Sequence, residues 1–431
     1  MNRPNRLILP ALEAALSELG SSGARYEVFA RNGASTLIRR DGEEAWEQRE
    51  NREVGVGCRV SSGGASGFAA ASGHAAVAGR EAARAALAAA VPSDDPIPPG
   101  ARLGCSPYPE PAPTREPEEL FVIARRLVEL IDRAPGQLRL ADLRLLHGEA
   151  ESYLINGDGF SGRARTSGSS LEMLLAPREG PWRLIRRAEA DLGAWDLQML
   201  AEQAREAALL AVKGEPPGRR LTDVLLAPAA AAPLVEAIGR ALFTHSISST
   251  TPRVSTSWRL VDERAGPRGL LGLPFDGEGF PARAIPLLND GCIGERAVVW
   301  GEARAGAGKA GGANRPSYRR PPETAPANLV VHRTNQMSAR DLIAALSEGV
   351  FVVLPAGPVH VDRHEGRFRM LAAGVTIRRG RPAGAHPLLE VRGSLKGLLR
   401  GLAATGNDEQ SFSLNCAVTT PSLLFRKLEV A

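Results

Sequence analysis

The stretch 221–243, LTDVLLAPAAAAPLVEAIGRALF, constrains the fold more than any other part of the chain. Residues 223–227, DVLLA, form an apolar run too short for a helix and read as a buried strand. A helix follows, starting between Pro228 and Pro233, because a first helical turn tolerates proline: the amide hydrogen it lacks would have no partner there. Leu234, Val235, Ile238, Ala241 and Leu242 then recur at helical spacing. A buried strand running into an apolar helix is the unit around which the second half of the chain is expected to organise.

The 431 residues suggest two or three domains. Hydrophobic residues at 43% and charged residues at 23% match globular composition and allow a sizeable core. No run of about 18 apolar residues occurs, so no membrane association is expected. Near the N-terminus, Glu13, Ser17 and Glu18 interrupt the apolar residues at helical spacing. This reads as an amphipathic first helix rather than a signal peptide, and the expected location is cytoplasmic. Cys58, Cys105, Cys292 and Cys416 are scattered with no CxxC pair, which argues against a zinc knuckle or a disulfide framework. The net charge of +5 comes from arginines spread along the chain, and aromatics reach only 5%, too few for a base-stacking surface. No nucleic-acid partner is expected.

Residues 5–20 read as a first helix, and 26–40 as two strands around an Asn32-Gly33 turn. Residues 50–60 form a strand, 63–67 a turn, and 68–71 its hairpin mate, followed by an Ala-rich helix at 75–90. The segment 93–119 is too rich in proline for regular structure and is expected to be a functional or mobile loop. An amphipathic helix at 120–134 precedes four strands at 137–146, 149–156, 159–166 and 170–176, with a turn at Asn156-Gly157; a helix at 197–212 follows. KGEPPG, 213–218, is the expected linker between an N-terminal α+β domain, 1–213, and a strand-rich C-terminal domain, 219–431. There 284–289 and 292–300 read as strands around Asp290-Gly291, and further short strands alternate with helices at 339–346 and 395–402. The fold class is α+β.

The familiar chemical motifs fail on their context. Gly306, Gly308, Gly311 and Gly312 surround Lys309, but Ala310 stands where a phosphate-binding loop needs Ser or Thr, and no helix follows. His360 and His364 would share a face only on a helix, whereas glycine and proline around them read as a hairpin. His245 beside Ser246 is no triad, and no GxSxG elbow exists. Cys416 sits in an apolar run, where thiols are usually inert. Asp276 and Glu278 lie in PFDGEG, and Asn407 and Asp408 in a GND turn signal.

Taken together, the segments resemble the TldD/PmbA family. The resemblance rests on REVGVGCRV and GFAAASG within 52–73, on DVLLAP and its helix, and on PFDGEGFPARAIPLLNDGCI at 274–293. It continues through RPSYRRPPETAPANLVV at 315–331, EGVFVVLPAGPVHVDRHEGRFRMLAAGVTIRRGRP at 348–382 and ATGNDEQSFSLNCAVTTPSLLF at 404–425. The match in order and spacing covers nearly the whole chain, and it is looser in the N-terminal part.

This family pairs two kinds of subunit. The TldD-like kind holds zinc with His-Glu-x-x-x-His and a distal cysteine; the TldE or PmbA kind lacks the ligand histidines. Here the motif positions are Val235, Glu236 and Arg240, and the distal position is Cys416. Valine cannot coordinate, and arginine stays protonated. The resemblance therefore implies a TldE-like subunit with no metal or catalytic residue of its own, zinc in a TldD-like partner, a heterodimer, and peptide substrates. It places Asp276, Glu278, Asn407 and Asp408 as substrate- or interface-shaping residues. Two other readings are a self-associating binding protein without protease activity, and a metal-independent hydrolase built on Cys416 or a serine.

Overall fold

The computed structural model describes all residues except 1–5, 94, 134–137, 179–181, 210–217, 245–253, 267–269, 335–336 and 363–364. Of the expected linker, 213–217 lie outside the described residues, as do His245, Ser246 and His364.

The N-terminal half is built on a seven-stranded antiparallel sheet. Its order is Val91–Pro92, Ala65–Ser72, Trp46–Ser62, Arg25–Arg40, Leu138–Asn156, Ser161–Pro177, Arg183–Glu189. The Asn32-Gly33 pair, expected as a hairpin turn, lies inside the single strand Arg25–Arg40, with Asn32 opposite both Val54 and Glu151. Pairing on both edges overrides the local turn signal, since a turn there would break two ladders at once. The four strands expected over 137–176 are likewise two, Leu138–Asn156 and Ser161–Pro177. Gly148 and Gly168, which fall between the expected strands, face each other across the ladder. The Asn156 turn does form: its side-chain carbonyl accepts the amides of Asp158 and Phe160.

Helices Leu9–Gly20 and Ala76–Ala88 cover one part of this sheet around Val28, Val56, Cys58 and Val60. Helices Pro117–Ile131 and Leu197–Leu209 cover another around Leu143, Leu145, Leu171 and Met173. The proline-rich segment is a strap rather than a free loop. Gly104 and Ser106 donate to the carbonyls of Gly279 and Pro274, and Ser167 holds the carbonyl of Ala112.

In the C-terminal half, strand Arg220–Leu226 pairs in parallel with Glu348–Pro355 and antiparallel with Leu423–Val430. From Leu423–Val430 the pairing passes through Arg381–Ser394 and Arg367–Arg378 back to Glu348–Pro355, so five strands close on themselves. A second, six-stranded sheet runs Cys292–Ile293, Ala284–Asn289, Arg259–Glu263, Asn328–Val331, Ala417–Thr420, Gln410–Ser413. The Asp290-Gly291 turn is present, with both φ angles in the left-handed region. The strand expected over 292–300 is shorter, and helix Trp300–Arg304 takes its end.

Helix Pro228–Phe243 packs against strands of both C-terminal sheets. It starts at Pro228 and carries Pro233 within it. Gly239 faces Leu329, where a Cβ would come within 2.4 Å of Cδ1, so the helix lies flat on the sheet.

Candidate functional site

The helix is buried on nearly every side. Val235 has no solvent exposure and packs in the apolar core that also includes Leu234, Ile238 and Cys416. One side opens onto a cavity of about 610 Å³, to which the helix contributes Glu236, Ala237 and Arg240. The carboxylate of Glu236 accepts the amide of Asn415 at 3.2 Å. The guanidinium of Arg240 makes no ion pair or hydrogen bond among the described residues.

Cys416 opens elsewhere. It lines a groove of about 410 Å³ between the loop 413–417 and the N-terminal sheet, beside Ser35, Gly148 and Ser169. Burial, with help from the nearby Glu236 and Asp262 carboxylates, pushes its thiol well above the ordinary range, so it stays protonated. A buried protonated thiol is neither a ready nucleophile nor a ready metal ligand.

The structure thus divides the sequence-derived site. Glu236 and Arg240 share a cavity, Cys416 faces another, and Val235 lines neither. Zinc needs three or four deprotonated N, S or O ligands converging on one point. Among the described residues, no group of three or more His, Cys, Asp or Glu side chains could hold a metal. Among the described residues, the donor set around the helix does not fit zinc.

Asp276 and Glu278 belong to a second constellation. Asp276 is buried and acts as a hub: one oxygen accepts the amides of Glu278 and Phe280, the other that of Ala313. Burial raises its pKa, against the pull of Arg264. Glu278 has no exposure; it accepts the Trp300 amide at 2.6 Å and both terminal nitrogens of Arg59 at 3.1 Å. Arg59 in turn donates to Glu27 at 3.1 Å, and Glu27 also pairs with Arg315. Two arginines and two glutamates, all buried, therefore join the N-terminal sheet to the C-terminal half.

Burial, assisted by Asp276 and Glu27, pushes the Glu278 carboxyl up to about 7 against the attraction of Arg59. Burial acts the same way on Glu27, but Arg315 and Arg59 outweigh it and hold its carboxyl below the ordinary range. Glycines make this approach possible. Cβ atoms on Gly55 and Gly57 would fall 2.3 and 2.2 Å from the Tyr318 ring and carbonyl, so the Arg315–Tyr318 backbone lies directly on the strand.

Asp408 accepts both the amide and the hydroxyl of Ser422, at 2.9 and 2.7 Å, and stitches the GND turn to the start of strand Leu423–Val430. Asn407 is in the same turn, and neither residue lines either cavity. His360 lies in a short strand paired with Arg367–Arg378. Sequence reasoning missed Glu27, Arg59 and Arg315. The available signal was alternation: Gly55, Gly57 and Arg59 share the face opposite the apolar Val56, Cys58 and Val60.

Residues 218–431 match the family model described as the PmbA/TldA metallopeptidase C-terminal domain. The whole chain superimposes on TldE from Thermococcus kodakarensis with a TM-score of 0.87 at 16% identity, covering 98% of this chain and 100% of that one. It also matches a candidate modulator of a DNA gyrase from Thermotoga maritima, with a TM-score of 0.83 at 16% identity over 98% and 99% of the two chains. A third such structure, a candidate DNA gyrase modulator from Bacteroides thetaiotaomicron, gives 0.75 at 16% identity over 99% and 98%. No curated protein sequence matches significantly. The architecture is thus an α+β fold of the PmbA/TldA metallopeptidase type, with a strand-rich C-terminal part. The chain belongs to the TldD/PmbA family.

Proposed function

We propose that this chain is the non-catalytic, TldE-like subunit of a heterodimeric metallopeptidase that cleaves unfolded or small, including modified, peptides in the cytoplasm. Its partner is a TldD-like chain that carries the zinc and supplies the metal-activated water. One observation carries the reading: the helix that would bear the metal ligands keeps its scaffold but presents Val235 and Arg240, with Val235 sealed in the core. Among the described residues no helix is long and apolar enough to cross a membrane. In the complex, this chain stabilises the partner, encloses the reaction chamber and guides substrate.

The test is co-expression with a TldD-like protein whose helix retains His-Glu-x-x-x-His. The expected result is a one-to-one complex in which zinc and peptide cleavage both depend on the partner's histidines. Stoichiometric zinc in the lone chain, or a stable homodimer that ignores the partner, would overturn the proposal.

A further inference from the structure

The cavity beside helix Pro228–Phe243 is large enough for one or two amino-acid residues, within the usual range of small-ligand sites. Its charges are arranged unevenly. At the rim, Arg186 donates to Glu172 at 2.7 Å, so that pair is mutually satisfied. Glu236 and Arg240 lie one helical turn apart on the same helix, yet form no ion pair. Glu236 is held by the Asn415 amide, and among the described residues no acceptor takes the donors of the Arg240 fork. The remaining walls combine apolar Pro233, Val359, Val361, Leu395 and Leu414 with polar Thr244, Ser413 and Asn415.

The cavity thus offers a cationic fork and an anionic acceptor side by side, with apolar surface around them. A bare carboxylate would satisfy Arg240 but face Glu236. A carboxylate that carries an amide N–H one carbon away satisfies both, because guanidinium binds carboxylate through two parallel hydrogen bonds while Glu236 accepts the N–H. That group is the last residue of a peptide with a free C-terminus.

We propose that this cavity binds the C-terminal residue of a peptide, with Arg240 holding the terminal carboxylate, Glu236 the last backbone N–H, and the apolar walls the side chain. No bond is made or broken. The inference deepens the functional reading above and rests on it, in that the chain handles peptides. Arg240 then serves as a recognition element.

The test is isothermal titration of the full chain, without any partner, using the tripeptide Ala-Ala-Leu, its C-terminal amide, and succinate. The free acid is expected to bind at least tenfold more tightly than the amide or succinate. Arg240→Gln should abolish that preference, and Arg240→Lys should retain part of it. Ala237→Leu, which narrows the cavity on a good helix former, should weaken the tripeptide at least tenfold and serves if the arginine variants unfold. Thermal unfolding of each variant checks the fold. Equal binding of acid and amide, succinate as tight as the tripeptide, an Arg240→Gln variant that folds and binds normally, or no heat at millimolar peptide would each overturn the assignment. A chain that binds the tripeptide but joins no TldD-like partner would sink the heterodimer alone; one that joins the partner but binds no tripeptide would sink only this site.

Discussion

Glu236 and Glu278 are both buried glutamates near an arginine, and they are built for opposite ends. Glu278 has every near neighbour committed: two nitrogens of Arg59 and the Trp300 amide close around it, with no exposure left. Among the described residues Glu236 has one hydrogen bond, borders a cavity, and stands beside an arginine that has none. A buried charge whose partners are complete fixes an arrangement; a charge held at the edge of a void with its neighbour unused is available to something else. The same residue types therefore mark a structural joint in one place and a binding surface in the other.

The largest expected effect breaks the joint. Arg59→Ala strands both Glu27 and Glu278, and loss of one member of a buried ion network costs about 3–5 kcal/mol. Urea unfolding should show that loss, and a change below about 1 kcal/mol would mean that solvent or rearrangement replaces the arginine.

A smaller effect tests the other side. Sequence reasoning suggests that Val235→His with Arg240→His would rebuild a metal site beside Glu236 and Cys416. The structure argues otherwise, because position 235 is sealed from both cavities and Cys416 faces a different one. The double variant is expected to lose about 1–3 kcal/mol from the buried imidazole and to bind less than stoichiometric zinc. One tightly held zinc per chain by elemental analysis would show that the two cavities communicate.

A third effect concerns pH. Glu278 is raised from 4.5 to about 7, so between those values the folded state holds more protons than the unfolded state. Its contribution to stability is fully present below pH 4.5 and is lost as the pH rises towards 7. Glu278→Gln, compared with the wild type across that window, should remove this slope; parallel stability profiles would place the titration on another group.

The sequence made one part of the molecule much more legible than the other. The 221–243 strand and helix, the Asp290-Gly291 turn and the short C-terminal strands could be read because each signal is local: an apolar run, a helical period, a left-handed turn. The long N-terminal strands could not. Asn32-Gly33 is a strong turn signal in isolation, and only the presence of partners on both edges decides against it. The buried charge network was invisible for a related reason. Glu27, Arg59 and Arg315 look like ordinary surface charges until the fold brings residues from distant segments together. Glu236 and Arg240 were singled out by position, but their cavity and the separation of Cys416 from it needed coordinates.

The closed ring of five strands has a consequence for how this protein is made. Strand Arg220–Leu226 emerges from the ribosome early in the C-terminal half, but its neighbours are Glu348–Pro355 and Leu423–Val430. It has no partner in this sheet until Glu348–Pro355 has been synthesised, and the apolar helix that follows it waits with it. Folding of this half is therefore dominated by distant contacts and is expected to be slow. Until Glu348–Pro355 has followed, the apolar surface of this unit is exposed to aggregation.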